Sequence, residues 1–221
     1  TSAVDNSTAR GTLVENPPFR IASVDAATLA AELGASASGA QLLQVTGPPV
    51  CGVDFNYMHY WPVNASPTGD VPASASGALM VPTGAAPACS GPRPILLYAH
   101  GTQTDKNANL ADITDPNNSE GALIAAMFAA HGYIVVAPNY VGYDTSDGSF
   151  HPYLNADAQS KDMIDALVAA RKALGRVLAS STTDSGKLFI TGYSQGGYVA
   201  MAAQRALEAD GQAVTASVPM S

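Results

Sequence analysis

Apolar residues fall along the 221-residue chain in two regimes, and the change comes near residue 94. Before it the pattern is thin or alternating. Residues 1 to 20 are polar and read as an N-terminal arm, mobile or clasping. VDAATLAAELG, residues 24 to 34, fits a short helix that Asp25 caps and Gly34 ends. ASASGAQ reads as a linker, and QLLQVTG as a first edge strand. VDFNYMHYWPV alternates over several positions and is rich in β-branched and aromatic residues, which predicts a strand. NASPTGD turns the chain and ASGALMVPTG returns it, giving a hairpin-like pair.

From residue 94 short, continuous apolar runs alternate with helical spacing. PILLYAHG (94–101), YIVVAP (133–138) and KLFIT predict strands buried on both faces, and AVTASVPM a fourth strand. Between them lie three helices. The first spans about 119–131, with Ser119 as cap, Leu123, Ile124, Met127 and Phe128 as its apolar face and Gly132 as its end. The others span about 157–178 and 197–209. Alternation of this kind predicts an α/β protein: a mostly parallel sheet with helices on both faces. Ligands then bind outside the carboxyl ends of the strands, where two long loops, 102–118 and 139–155, also emerge. The chain divides into an arm with a short helix (1–44) and one larger unit (45–221).

Composition narrows the functions. A hydrophobic fraction of 47% with 13% charged residues describes a globular chain. Its net charge of −8, without a basic cluster, argues against nucleic acid or an anionic membrane as partner. No apolar run reaches the roughly 18 to 20 residues of a membrane span. TSAVDNSTARG lacks the apolar core of a secretory leader, so the chain reads as cytosolic or as a mature form whose leader has been removed. Cys51 and Cys89 favour the second. Both sit in loop contexts before predicted strands, and their pairing would close a loop of about 40 residues. With few lysines and Pro/Ser/Gly-rich loops, this suits a secreted or periplasmic protein, and the high Ala and Gly content suits a bacterial one.

Chemistry enters at Gly192-Tyr193-Ser194-Gln195-Gly196, a match to G-x-S-x-G. Alone the match is weak; its context gives it meaning. Leu188 to Thr191 supply a strand and Tyr198 to Ala209 a helix, while Gly192, Gly196 and Gly197 keep the turn between them free of bulk. Such a turn presents Ser194 as a nucleophile at a helix N-terminus, where partial positive charge favours an oxyanion. The backbone N–H of Gln195 is one expected oxyanion donor. Thr102 N–H, in the HGTQ segment after the strand at 94–101, is the other, with Gly101 letting the chain turn in closely. His100 reads as organising that loop.

The order of elements, HGT after one strand, YIVVAPNYVGYD after the next and GYSQGG after the third, resembles the α/β-hydrolase fold over residues 45 to 221. More narrowly it is similar to secreted bacterial serine esterases and lipases. The resemblance implies a Ser–His–acid triad working through an acyl-enzyme on carboxylic esters, small or polymeric, with no metal or organic cofactor. Cutinases rank second, since they lack an HGT segment and carry their serine much earlier in the chain.

The triad is incomplete. In this superfamily the acid and then the histidine follow the serine. After Ser194 the acids are Glu208 and Asp210, at the far end of the next helix, and no histidine follows. Three explanations stand at this point: a separate C-terminal fragment of the same precursor carries the acid and histidine; the chain is a truncated product; or an internal histidine substitutes, for which His151 in GSFHPY is the candidate, His59 and His131 reading as structural. An acyl-peptide or prolyl peptidase, and a non-catalytic binding module of the same fold, remain as alternatives.

Overall fold

In the computed structural model, residues 10–63, 72–115, 118–148, 150–175 and 181–221 are described. Strands β1 (Thr12–Leu13) and β2 (Phe19–Val24) come first, then helices α1 (Ala26–Gly34) and α2 (Ala37–Thr46). Strands β3 (Gly52–Val63), β4 (Ala73–Thr83) and β5 (Gly91–Ala99) follow. The rest alternates: α3 (Ser119–Met127), β6 (Ile134–Pro138), α4 (Ala156–Leu174), β7 (Thr182–Tyr193), α5 (Gln195–Ala209) and β8 (Ala216–Met220).

Among the described residues, eight strands form one mixed sheet in the order β1-β3-β4-β6-β5-β7-β8, with β2 also on β3. β5 pairs in parallel with β6 and β7, and β7 with β8. β3 and β4 form the expected antiparallel pair, and β4 joins it to the parallel half by pairing antiparallel with β6. The turn expected over NASPTGD lies outside the described residues. Both faces are covered. α4 and α5 pack on one, through Met163, Leu167, Val199 and Leu207. α1 and α3 cover the other, through Leu29, Ile124 and Ala125. This is why β5 and β6 read as unbroken apolar runs: a strand covered on both faces has no polar side to show.

Two expectations are corrected. QLLQVTG is not a strand; it lies within α2, where Ser36 caps the helix by accepting from Gly39 N–H at 3.0 Å and Gly47, at φ 78°, stops it. The edge of the sheet comes from the arm instead. FRIASV pairs antiparallel with β3, from Phe19 opposite Tyr57 to Val24 opposite Val53. The cap of α3 also moves by one residue, to Asn118, whose side chain accepts from Gly121 N–H at 2.9 Å. Asp25 caps α1 as expected, through Thr28 N–H at 2.8 Å.

Residues 10 and 11 clasp α4. Arg10 Nε lies 2.9 Å from Asp165 Oδ1, and Lys172 Nζ donates to the Arg10 carbonyl at 3.1 Å. Gly11 (φ 60°) fits because a Cβ there would stand 2.5 Å from the Asp165 carbonyl oxygen. Cys51 and Cys89 form the expected disulfide, tying the start of β3 to the turn before β5.

Candidate active site

β7, buried from Leu188 to Thr191 apart from half-buried Phe189, runs directly into α5 with Ser194 between them. Ser194 has φ 58° and ψ −121°, a conformation that non-glycine residues avoid and that persists only when the surroundings impose it. The surroundings are visible. Ser194 N–H donates to the Met220 carbonyl on β8 at 2.9 Å, and Gly197 N–H donates back to the Ser194 carbonyl at 3.0 Å. A Cβ at Gly192 or Gly196 would collide with the Ala99 carbonyl, and one at Gly197 with that of Met220. The three glycines let a tight turn nest against β5 and β8. The close approach that the sequence assigned to Gly101 is made by Gly196: a Cβ at Gly101 would meet Tyr193 O at an ordinary 3.4 Å.

Gln195 opens α5, so its N–H has no intrahelical acceptor. Thr102 and Ser194 border one cleft of 520 Å³, whose wall is formed by Leu123, Met127 and Phe128 of α3 and its end, with Met220 opposite. The apolar face predicted for α3 is therefore shared: Ile124 is buried in the core and only its edge reaches the cleft, while Leu123, 42% exposed, borders it openly. Glu120, also in the cleft wall, accepts from Tyr98 Oη at 2.7 Å and from Gly101 N–H at 3.4 Å.

The loop after β6 braces the loop after β5. Tyr140 Oη donates to the His100 carbonyl at 3.1 Å and Tyr143 Oη to the Gln103 carbonyl at 2.7 Å. Tyr153 Oη lies 3.2 Å from Thr102 Oγ1. His100 is buried, stacked on Tyr140 with centroids 4.0 Å apart, and its ring nitrogens face the carbonyls of Gly101 (2.7 Å) and Asn139 (3.2 Å). Burial lowers its pKa from the ordinary histidine value, against the two carbonyls and Glu120, which raise it, and the ring sits between the two loops as a brace. That matches its expected organising role. Sequence reasoning missed the tyrosines, whose only signal was their density in NYVGYD.

His151 spends both nitrogens away from Ser194. Its Nδ1 faces the Val141 carbonyl at 3.1 Å, which can only accept, so Nδ1 carries the proton. Nε2 then accepts from the side-chain amides of Gln195 (2.6 Å) and Gln159 (3.2 Å). Burial pushes its pKa down to about 4. The other candidates lie elsewhere: His59 on β3 beside Glu15, His131 in the short turn after α3. Glu208 takes a hydrogen bond from Gln204 on α5, and Asp210 closes that helix, about 20 Å from its start. No cluster of three or more His, Cys, Asp or Glu side chains able to hold a metal occurs among the described residues.

A solved structure similar to this chain is the rice cell wall degrading esterase LipA of Xanthomonas oryzae, which matches 96% of the chain at 32% identity and TM-score 0.78. The chain belongs to the α/β-hydrolase superfamily. The prolyl oligopeptidase family matches the stretch of this α/β-hydrolase from residue 121 to 221. A Legionella pneumophila protein assigned as a hydrolase matches 93% of the chain at 25% identity and TM-score 0.73. Candida antarctica lipase A shares the fold, with TM-score 0.54 at 13% identity. This α/β-hydrolase chain spans 50% of the length of both the LipA and Legionella structures. A search of curated proteins finds no match.

Proposed function

We propose that this α/β-hydrolase chain carries the nucleophile of a serine hydrolase that cleaves carboxylic esters through an acyl-enzyme on Ser194. The observation that carries this reading is the elbow itself: a serine at φ 58°, held between β7 and α5 at the mouth of an apolar cleft. Ser194 Oγ attacks the ester carbonyl, and the developing oxyanion takes hydrogen bonds from Gln195 N–H at the start of α5 and from Thr102 N–H in the loop after β5. A histidine takes the serine proton and passes it to the departing alcohol; water then releases the acid by the reverse path. LipA, described as a cell wall degrading esterase, supports an ester, and one attached to a polymer.

The acid and the histidine come from complementary polypeptide outside residues 1–221, docked on β8. The support is physical. β8 pairs with β7 on one side, and Val218 and Met220 are 59% and 43% exposed. An uncovered apolar parallel edge is the surface to which a further strand adds. Because Ser194 N–H is bonded to Met220, a strand added there lies next to the nucleophile. The disulfide supports a secreted or periplasmic location. Among the described residues no helix is long and apolar enough to cross a membrane.

The test is labelling with a fluorophosphonate and turnover of a p-nitrophenyl ester by the catalytically complete protein, both lost in Ser194→Ala. Denaturing mass measurement checks the complement: a single 22.5 kDa species that still turns over the ester would overturn the two-part reading. The prolyl oligopeptidase match favours a second reading, a peptidase on the same serine. Faster turnover of a peptide amide than of the matched ester would select it.

A further inference from the structure

The loop from 139 to 155 touches everything the proposed chemistry needs to hold still. Three of its tyrosines bond the segment around Thr102, as described above. Tyr198 Oη, on α5, donates to the Leu154 carbonyl at 2.8 Å, tying the loop's end to the helix that the elbow opens. One side chain of the loop reaches the residue beside the nucleophile, and that is His151.

Resting on the Ser194 reading, we infer that His151 is a positioning residue: through the side chain of Gln195 it ties the elbow to the frame that holds the second oxyanion donor. The bond is short, 2.6 Å, and Gln195 is buried. The ring cannot rotate away, because Tyr140 stacks on one side at 5.3 Å and Tyr143 lies 4.9 Å off. Its backbone is equally confined. Gly142, at φ 93°, leaves no room for a Cβ, which would stand 2.5 Å from His151 N. Behind the loop, Val141 N–H donates to buried Asp162 Oδ2 at 2.5 Å, so the carbonyl that orients His151 belongs to a residue anchored on α4. The chain of contacts runs from α4 through Val141 and His151 to Gln195, one residue from Ser194.

The arrangement has a feature that packing alone does not require. Two buried amide groups, Gln159 and Gln195, aim their nitrogens at one ring nitrogen, and both their carbonyl oxygens lack a hydrogen-bond partner among the described residues. Leaving two buried acceptors unpaired is unfavourable. It fits a site where the direction of the Gln195 side chain, and with it the N–H that opens α5, matters more than full satisfaction.

The experiment is a double-mutant cycle in the catalytically complete protein with His151→Phe, which keeps an aromatic ring against Tyr140, and Gln195→Met. Each single variant is expected to lower kcat about 10- to 100-fold, below the loss for deleting an oxyanion donor outright, with KM within about twofold. The double variant is expected to be no worse than either single one. Fluorophosphonate labelling should still go to completion, only more slowly. Unchanged kcat in either single variant, or losses that multiply in the double, would overturn the inference. Should His151→Phe fail to fold, Gln195→Met and a ¹⁵N measurement on His151 decide: Nε2 must be unprotonated from pH 5.5 to 8 and shift on Gln195→Met. Labelling that survives Ser194→Ala would instead sink the nucleophile assignment, leaving the two failures distinct.

Discussion

At Gly196 a single methyl group decides whether the elbow can form. A Cβ there would overlap the Ala99 carbonyl, and backbone on both sides leaves nothing to move. Gly196→Ala is therefore expected to lower unfolding stability by more than about 2 kcal/mol, read from urea midpoints of the isolated chain. Asp162 acts through its proton. Burial raises its pKa from 3.8 to about 7, and that of neighbouring Asp165 to about 6. A carboxyl raised on folding binds its proton more tightly in the native state. Its contribution is full below the unfolded value near 4 and is lost as pH climbs through the folded value. The chain should therefore lose stability between pH 4 and 7 on this account, and Asp162→Asn should flatten that slope in melting temperatures measured across the range.

The elements that sequence made legible are those whose partners leave a repeating mark. β5, β6 and β7 were found because the stretches covered on both faces, Ile95–Ala99, Ile134–Pro138 and Leu188–Ile190, are unbroken apolar runs, and the elbow because three glycines stand where backbone meets backbone. α2 was missed: ASASGAQ has a linker's composition, and its helical punctuation, Ser36 before and Gly47 after, was outweighed by it. β2 was missed because FRIASV follows a polar arm and pairs with β3 across 29 to 38 residues, a distance at which no local pattern speaks. The tyrosine bonds of the 139–155 loop have no period at all, so nothing in NYVGYDTSDGSFHPYLN announced their partners. Cys51 and Cys89 were legible from context, and their consequence is measurable. They lie 38 residues apart, which on the chain-entropy model corresponds to about 4 kcal/mol. Cys51→Ser with Cys89→Ser, or reductant alone, should lower stability by up to that amount in denaturant unfolding. The cleft wall on α3 gives a further expectation: Leu123→Trp fills space beside Ser194, and in the complete protein should depress turnover of long-chain p-nitrophenyl esters more than of the acetate.

For the molecule as a whole, the uncovered surface and the proposed nucleophile are one region. β8 presents Val218 and Met220 outward, and Met220 also bonds Ser194 and borders the cleft. Isolated, the chain should self-associate through this edge. Val218→Lys is expected to keep it monomeric in sedimentation while weakening assembly with the complement. The opposite end of the molecule is closed by the arm, and the closing bond from Arg10 to Asp165 joins positions 155 residues apart. That separation is also an interval of time. At synthesis rates of about 5–20 residues per second, Arg10 leaves the ribosome roughly 8 to 30 seconds before its partner exists. Until α4 arrives, β1 and β2 can pair with β3, where Arg20 meets Asp54, but Arg10 has no Asp165 to meet, so this clasp closes only once α4 has been made.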